Sequence, residues 1–232
     1  MGLAPAENPV THYPFDLGSH TRLATSHPDA QTWFDRGLVW LFGYNHEEAV
    51  ASFERCLATD PGCALAHWGI AYALGPNYNK PWEVFTEDEK APCLNRIHAE
   101  LDAAAPSNPL EAAMIEALRV RCPKDPGIED FHPFNNAFAD AMRAVHAGFP
   151  DDLDVTFVFA EALMNRTPWQ LWDLATGEPT EHSAGPEARA LLDRAFERPE
   201  AWDHPGLLHM YIHLMEMSPT PEAALRHGDR LT

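Results

Sequence analysis

The stretch that most constrains this chain runs from Ala30 to Pro61, AQTWFDRGLVWLFGYNHEEAVASFERCLATDP. Its apolar residues recur at helical spacing: Trp33, Gly37, Trp40 and Leu41, then Ala49, Phe53, Cys56 and Leu57. Between the two runs Asn45 is suited to cap the second helix, with Glu47 and Glu48 near its positive end. Pro61 stops that helix. Two helices this short cannot bury their apolar stripes alone, so the unit requires stacked neighbours.

Trp33, Gly37, Trp40, Ala49, Phe53 and Pro61 fall at the large, small, aromatic, small, aromatic and proline positions of a known repeat of about 34 residues. The window thus resembles a tetratricopeptide repeat (TPR). In such a pair small Gly37 and Ala49 let the helices approach closely, while Trp33 and Phe53 wedge between them. Read onward, the chain gives about ten helices and no strand. The expected fold is all-α: a TPR-like right-handed helical-repeat solenoid over residues 28–232, with an extended arm at 1–27. In the arm, Tyr13, Phe15 and Leu17 alternate and are suited to lie on a groove.

Two long insertions interrupt the repeats, GPNYNKP after the helix ending at Leu74 and NRTPWQLWDLATGEPTEHSAGPE after the one ending near Asn165. Thr86 to Glu89 reads as a capping box, and Asn108-Pro109 as the start of a further helix. Most of the 21 prolines sit at such starts or in connections. The pattern GYNHEEA, WGIAYALGPNYN, FAEALMNRTPWQLWD and HPGLLHMYIHLME, over most of residues 25–232, is similar to a bacterial family of longer TPR-domain proteins. That resemblance implies further C-terminal, histidine-rich repeats, which this chain lacks, and it names no substrate.

A formal net charge of −19 argues against nucleic acid as a partner and permits a cationic one. Cys56, Cys63, Cys93 and Cys122 show no metal-site spacing and read as reduced structural thiols. The N-terminal residues have no basic and apolar leader pattern, and no apolar run is long enough to span a membrane. The expectation is a cytoplasmic protein. The chain ends at Thr232 without a polar capping helix, so the expectation is either that another copy covers the C-terminal face, a candidate homo-oligomer contact, or that this is the N-terminal part of something longer.

Aligned by their small residues, the first helices of each repeat turn one face toward a concave wall. That face carries Phe34, Leu38 and Leu41, then Trp68, Tyr72 and Gly75, then Phe157, Glu161 and Met164, and last His209, His213 and Glu216. His209 and His213 are one turn apart on one face, and Glu216 lies three residues on. Two imidazoles and a carboxylate so spaced are candidate ligands for iron, copper or zinc, with Glu161 as a fourth and His204 as a weaker addition. Trp68, Tyr72, Asn77, Asn165 and Trp169 are candidate ligand-binding residues. Trp169 and Trp172 are suited either to seal the core or to cover the groove. His46 is expected to hydrogen-bond helix-end groups.

No phosphate loop, nucleotide fingerprint, GxSxG or HExxH is present, so no catalytic set is named. Two functions follow from these residues. The first is a scaffold binding a small molecule, peptide or protein in an acidic concave groove. The other is a metal-dependent enzyme with its site on the same face.

Overall fold

In the computed structural model, which describes residues 13–231, the chain is all-helical. The first half holds α1 (Pro28–Phe42), α2 (His46–Thr59), α3 (Ala64–Leu74), α4 (Glu87–Ala103) and α5 (Pro109–Arg121). The second half holds α6 (His132–Gly148), α7 (Leu153–Met164), α8 (Gly185–Ala195), α9 (Pro205–Met215) and α10 (Leu225–Leu231). Among the described residues the β structure amounts to one isolated bridge, Trp172 to Pro179.

Local chemistry starts these helices where it should. Asn45 Oδ1 accepts the Glu48 N–H at 3.4 Å and Asn108 Oδ1 accepts the Glu111 N–H at 3.0 Å. Thr86 and Glu89 form the reciprocal capping box at the start of α4. Pro28, Pro109 and Pro205 occupy first helical positions, where the missing N–H is no loss.

Each helix packs on the next, and odd-numbered helices also meet one another: α1 with α3, α3 with α5, and α7 with α9. Glycines set the closest approaches. The fully buried Phe53 ring lies between Gly37 of α1 and Gly69 of α3, and a Cβ at either glycine would fall 2.5 or 2.6 Å from a ring carbon. Only a residue without a side chain fits against the ring there.

The ends of the arrangement meet, because α9 also packs on α1. Gly206 of α9 receives Phe157 of α7 and Phe42 of α1, ring atoms that would lie 2.7 and 3.0 Å from an added Cβ. Phe42 and Phe157 touch edge to face at 4.6 Å. This meeting fills the wall expected to be open: Phe34, Leu38, Leu41, Trp68, Tyr72, Phe157, Glu161 and Met164 are all buried. Apolar side chains from facing helices reach each other before a groove can form.

The arm residues that are described lie along α1. Tyr13 Oη accepts the Trp40 indole N–H at 2.7 Å, and Phe15 meets Trp40 at 5.4 Å. Leu17 is half-buried beside them. The remainder of the arm, residues 1–12, and Thr232 lie outside the described residues. The four cysteines are unpaired thiols, and no described helix is long and apolar enough to cross a membrane.

Gly37→Ala tests the close approach. A helix-interior Gly→Ala change ordinarily gains about 1 kcal/mol of helix propensity, but overpacking the Phe53 ring costs roughly 1–3 kcal/mol. We expect a net loss in urea denaturation, relieved in the Gly37→Ala/Phe53→Leu double variant by less than additive behaviour. Additive losses would show that the ring does not set the spacing.

Candidate functional site

The turn between α1 and α2 places Tyr44 in the left-handed region, φ 59°, unusual for a residue with a side chain. That backbone sends the phenol inward, where its O–H donates to Glu161 Oε1 at 3.0 Å and lies 3.6 Å from Met210 Sδ. Glu161 sits in the last turn of α7 with 0% exposure, and its Oε2 has no hydrogen-bond partner. Burial pushes the Glu161 carboxyl up to about 7, against the opposing hydrogen bond from Tyr44. Asn165, at the end of the same helix, turns its side-chain N–H back to the Glu161 carbonyl at 3.0 Å.

A second buried polar group comes from α5. Arg121 is 1% exposed, and none of its Nε, Nη1 and Nη2 atoms has a hydrogen-bond partner. Its guanidinium lies over two rings instead, Phe138 at 4.7 Å and Tyr72 at 5.6 Å. Burial lowers its pKa to about 10. Burial and the Arg121 charge together hold the His46 imidazole down at about 4, so His46 is neutral at physiological pH.

The tautomer of His46 follows from its neighbour. Asn77 Oδ1 accepts the backbone N–H groups of Asn79 and Lys80, each at 2.9 Å, which orients the amide. Asn77 Nδ2, a donor only, therefore gives its hydrogen to His46 Nδ1 at 3.2 Å. The imidazole proton sits on Nε2, which is buried without a partner. The Tyr72 hydroxyl is likewise buried and unpartnered, and Trp68 stacks on its ring at 5.0 Å.

α9 supplies the third part. His209 Nδ1 donates to the Phe42 carbonyl at 2.5 Å, and His213 Nδ1 pairs with Glu216 Oε1 at 2.7 Å. The two rings lie 4.6 Å apart, with Tyr44 at 4.8 Å from His209 and stacked at 5.7 Å on His213. The two insertions meet over them: Tyr78 and Trp169 are 5.1 Å apart, and both contact His213. Trp169, with φ 60° and 43% exposure, is the solvent-facing member of this group. Trp172 instead seals the core, donating its indole N–H to the Leu214 carbonyl at 2.7 Å.

The structure thus joins His209 and His213 but does not gather the four expected metal ligands around one point. Glu216 is turned to Nδ1 of His213, and Glu161 is held by Tyr44. Among the described residues, the trio of donor atoms within 4.8 Å of one another is His20, Asp154 and His204. This trio is built as a hydrogen-bond cluster. His204 Nδ1 accepts the Leu207 N–H at 3.2 Å, which places its proton on Nε2, where it donates to Asp154 Oδ1 at 2.9 Å. His20 Nε2 approaches the same oxygen at 3.1 Å, and Arg22 donates to Oδ2 at 2.7 Å. Burial pushes Asp154 up, but these hydrogen bonds and the Arg22 charge outweigh it and hold the carboxyl well below the usual range. A metal on His204 Nε2 would have to displace that proton and sit beside a guanidinium.

Sequence reasoning placed Trp68, Tyr72, Asn77, Asn165 and Trp169 near a ligand, and the fold brings Tyr72 to Arg121, Asn77 to His46 and Asn165 to Glu161. Missed were Tyr44, Arg121, the inward role of His46, and Tyr78 as an individual residue. Arg121 had a signal: with Met114 and Leu118 it forms an i, i+4, i+7 stripe, the buried face of α5. No family model, curated protein or solved structure matches the chain.

The raised pKa of Glu161 gives a pH dependence of known sign. A carboxyl that titrates at about 7 when folded and near 4.5 when unfolded contributes stability below 4.5 that is lost as pH rises through 7. Relative to Glu161→Gln, the wild-type protein should therefore lose stability between pH 4.5 and 7, at up to roughly 1.4 kcal/mol per pH unit. The difference should level off above that window. Urea titrations of both proteins across the range measure it, and parallel curves would overturn the assignment.

Proposed function

We propose that this protein is a TPR-like helical-repeat scaffold that binds a small ligand in its polar interior, between α2, α3, α5 and α7, rather than in an open groove. One observation carries the reading. The Arg121 guanidinium is buried with every nitrogen unpartnered, and His46 Nε2, the Tyr72 hydroxyl and Glu161 Oε2 are buried and unpartnered as well. Native interiors pair such groups almost without exception, and an uncompensated buried charge is among the most destabilising features a fold can hold. A ligand that supplies the missing partners accounts for all four. The insertions that meet at Tyr78 and Trp169 would then cover the site.

The test is a stability measurement with an unusual sign. Arg121→Met removes the charge and keeps an apolar stem, so the ligand-free protein should become more stable, by roughly 1–4 kcal/mol. Native mass spectrometry of gently purified wild-type protein should show a small molecule that Arg121→Met lacks. Destabilisation by the substitution would mean that Arg121 is a satisfied structural ion, and the reading would fall.

A metal at His209 and His213 is a second reading, favoured by one detail. Both rings use Nδ1 in hydrogen bonds, to a backbone carbonyl and to a carboxylate, which is how imidazoles are oriented when Nε2 binds iron, copper or zinc. Elemental analysis of protein purified without chelator decides it. Stoichiometric metal that disappears in His209→Ala/His213→Ala supports the metal; none in either protein removes it.

A further inference from the structure

We propose that the ligand of this interior is a small monocarboxylate, its carboxylate held by the edge of the Arg121 guanidinium with Tyr72 Oη and His46 Nε2 as further donors. The inference rests on the interior-binding reading above and adds the chemical class.

Three observations select it. First, the unpartnered groups are weighted toward donors. Arg121 offers donors only, His46 presents an N–H because Asn77 occupies its other nitrogen, and Tyr72 has a hydroxyl hydrogen to give. A ligand that satisfies them must be rich in acceptors at one end, as a carboxylate is.

Second, the charge count is one. The neighbouring His46 imidazole is neutral, and the Glu161 carboxyl, which titrates at about 7, adds no positive charge. A single buried cation balances at most a monoanion. Phosphate exchanges between monoanion and dianion near neutral pH, and its dianion would leave an excess negative charge out of water, which is strongly unfavourable.

Third, the guanidinium has aromatic neighbours but no hydrogen-bond partner at any of its three nitrogens. The Phe138 and Tyr72 rings lie against it, so its N–H fork is what remains to be met. A planar fork matches a planar carboxylate through two parallel hydrogen bonds. Glu161 Oε2, linked to this region through Tyr44, is left for a hydroxyl or amine elsewhere on the same molecule.

The test titrates the full chain with sodium acetate, sodium lactate and sodium phosphate at constant ionic strength. Thermal unfolding and the arginine Nε–Hε resonances in a ¹H–¹⁵N spectrum are followed together. Acetate or lactate should raise the unfolding temperature saturably and shift one Nε–Hε resonance, the one missing from Arg121→Met. Arg121→Lys, which keeps the charge but not the fork, should weaken the response at least about tenfold, since loss of a charged bidentate pair removes one to two hydrogen bonds of this strength. If phosphate shifts that resonance and the carboxylates do not, the class is wrong while interior binding stands. If none of the three anions moves it in the wild-type protein, the carboxylate proposal is overturned. Interior binding itself is judged separately, by the sign of the Arg121→Met stability change.

Discussion

The structure depends on how closely its inner helices approach one another. At two places a helix surrenders its side chain so that a neighbouring ring can take the space: Gly37 and Gly69 around Phe53, and Gly206 around Phe42 and Phe157. The first contact joins α1, α2 and α3. The second joins α1, α7 and α9, and so links helices more than a hundred residues apart in the chain. Each ring fills the volume a Cβ would otherwise need, and interiors tolerate little error in either direction. With α1 against α9, the wall that would have been concave becomes a core.

That closure changes the meaning of every polar residue on the inner face. On an open groove Glu161 or Arg121 would be solvated and unremarkable. Inside, desolvation dominates: it moves Glu161 up to about 7, Arg121 down to about 10 and His46 down to about 4. All three shifts favour the neutral form, the signature of burial rather than of ion pairing. Asp154 provides the contrast within the same protein. It is also buried, yet two imidazoles and Arg22 hold it ionised, and both of its oxygens are partnered. The fold therefore gives one buried charge protein hydrogen-bond partners and gives another none, and this difference marks Arg121 as unusual.

What was legible in the sequence divides along the same line. Helix starts were written locally, in Asn45, in Thr86 with Glu89, and in Asn108 with Pro109, because a cap is a contact between residues three apart. The pairing of His209 with His213 was legible for a similar reason, since one helical turn fixes it. The partners of their Nδ1 atoms differ in this respect. Glu216 is on the same face and was in view, but the Phe42 carbonyl comes from α1 and no local pattern reports it. Arg121 was obscured by position: a cation in the last turn of a helix ordinarily serves the helix dipole at the surface. Only the stripe it shares with Met114 and Leu118 pointed inward, and only the packing of α5 on α3 and α6 showed what waited there.

The surface charge bears on the interior in an indirect way. A net charge of −19 opposes the approach of any anion, so a carboxylate ligand gains nothing from long-range steering. At physiological ionic strength, however, such fields decay over about 8 Å, and a buried site is separated from much of the surface by side chains and ordered backbone. Inside, the proposed interaction would be between one guanidinium and one carboxylate at contact distance, in a medium far less polarisable than water, where it is many times stronger than at the surface. In the proposed complex the acidic exterior would set how often an anion arrives, and the guanidinium would set how firmly it is held. Encounter and retention would then be separate quantities, governed by charges of opposite sign.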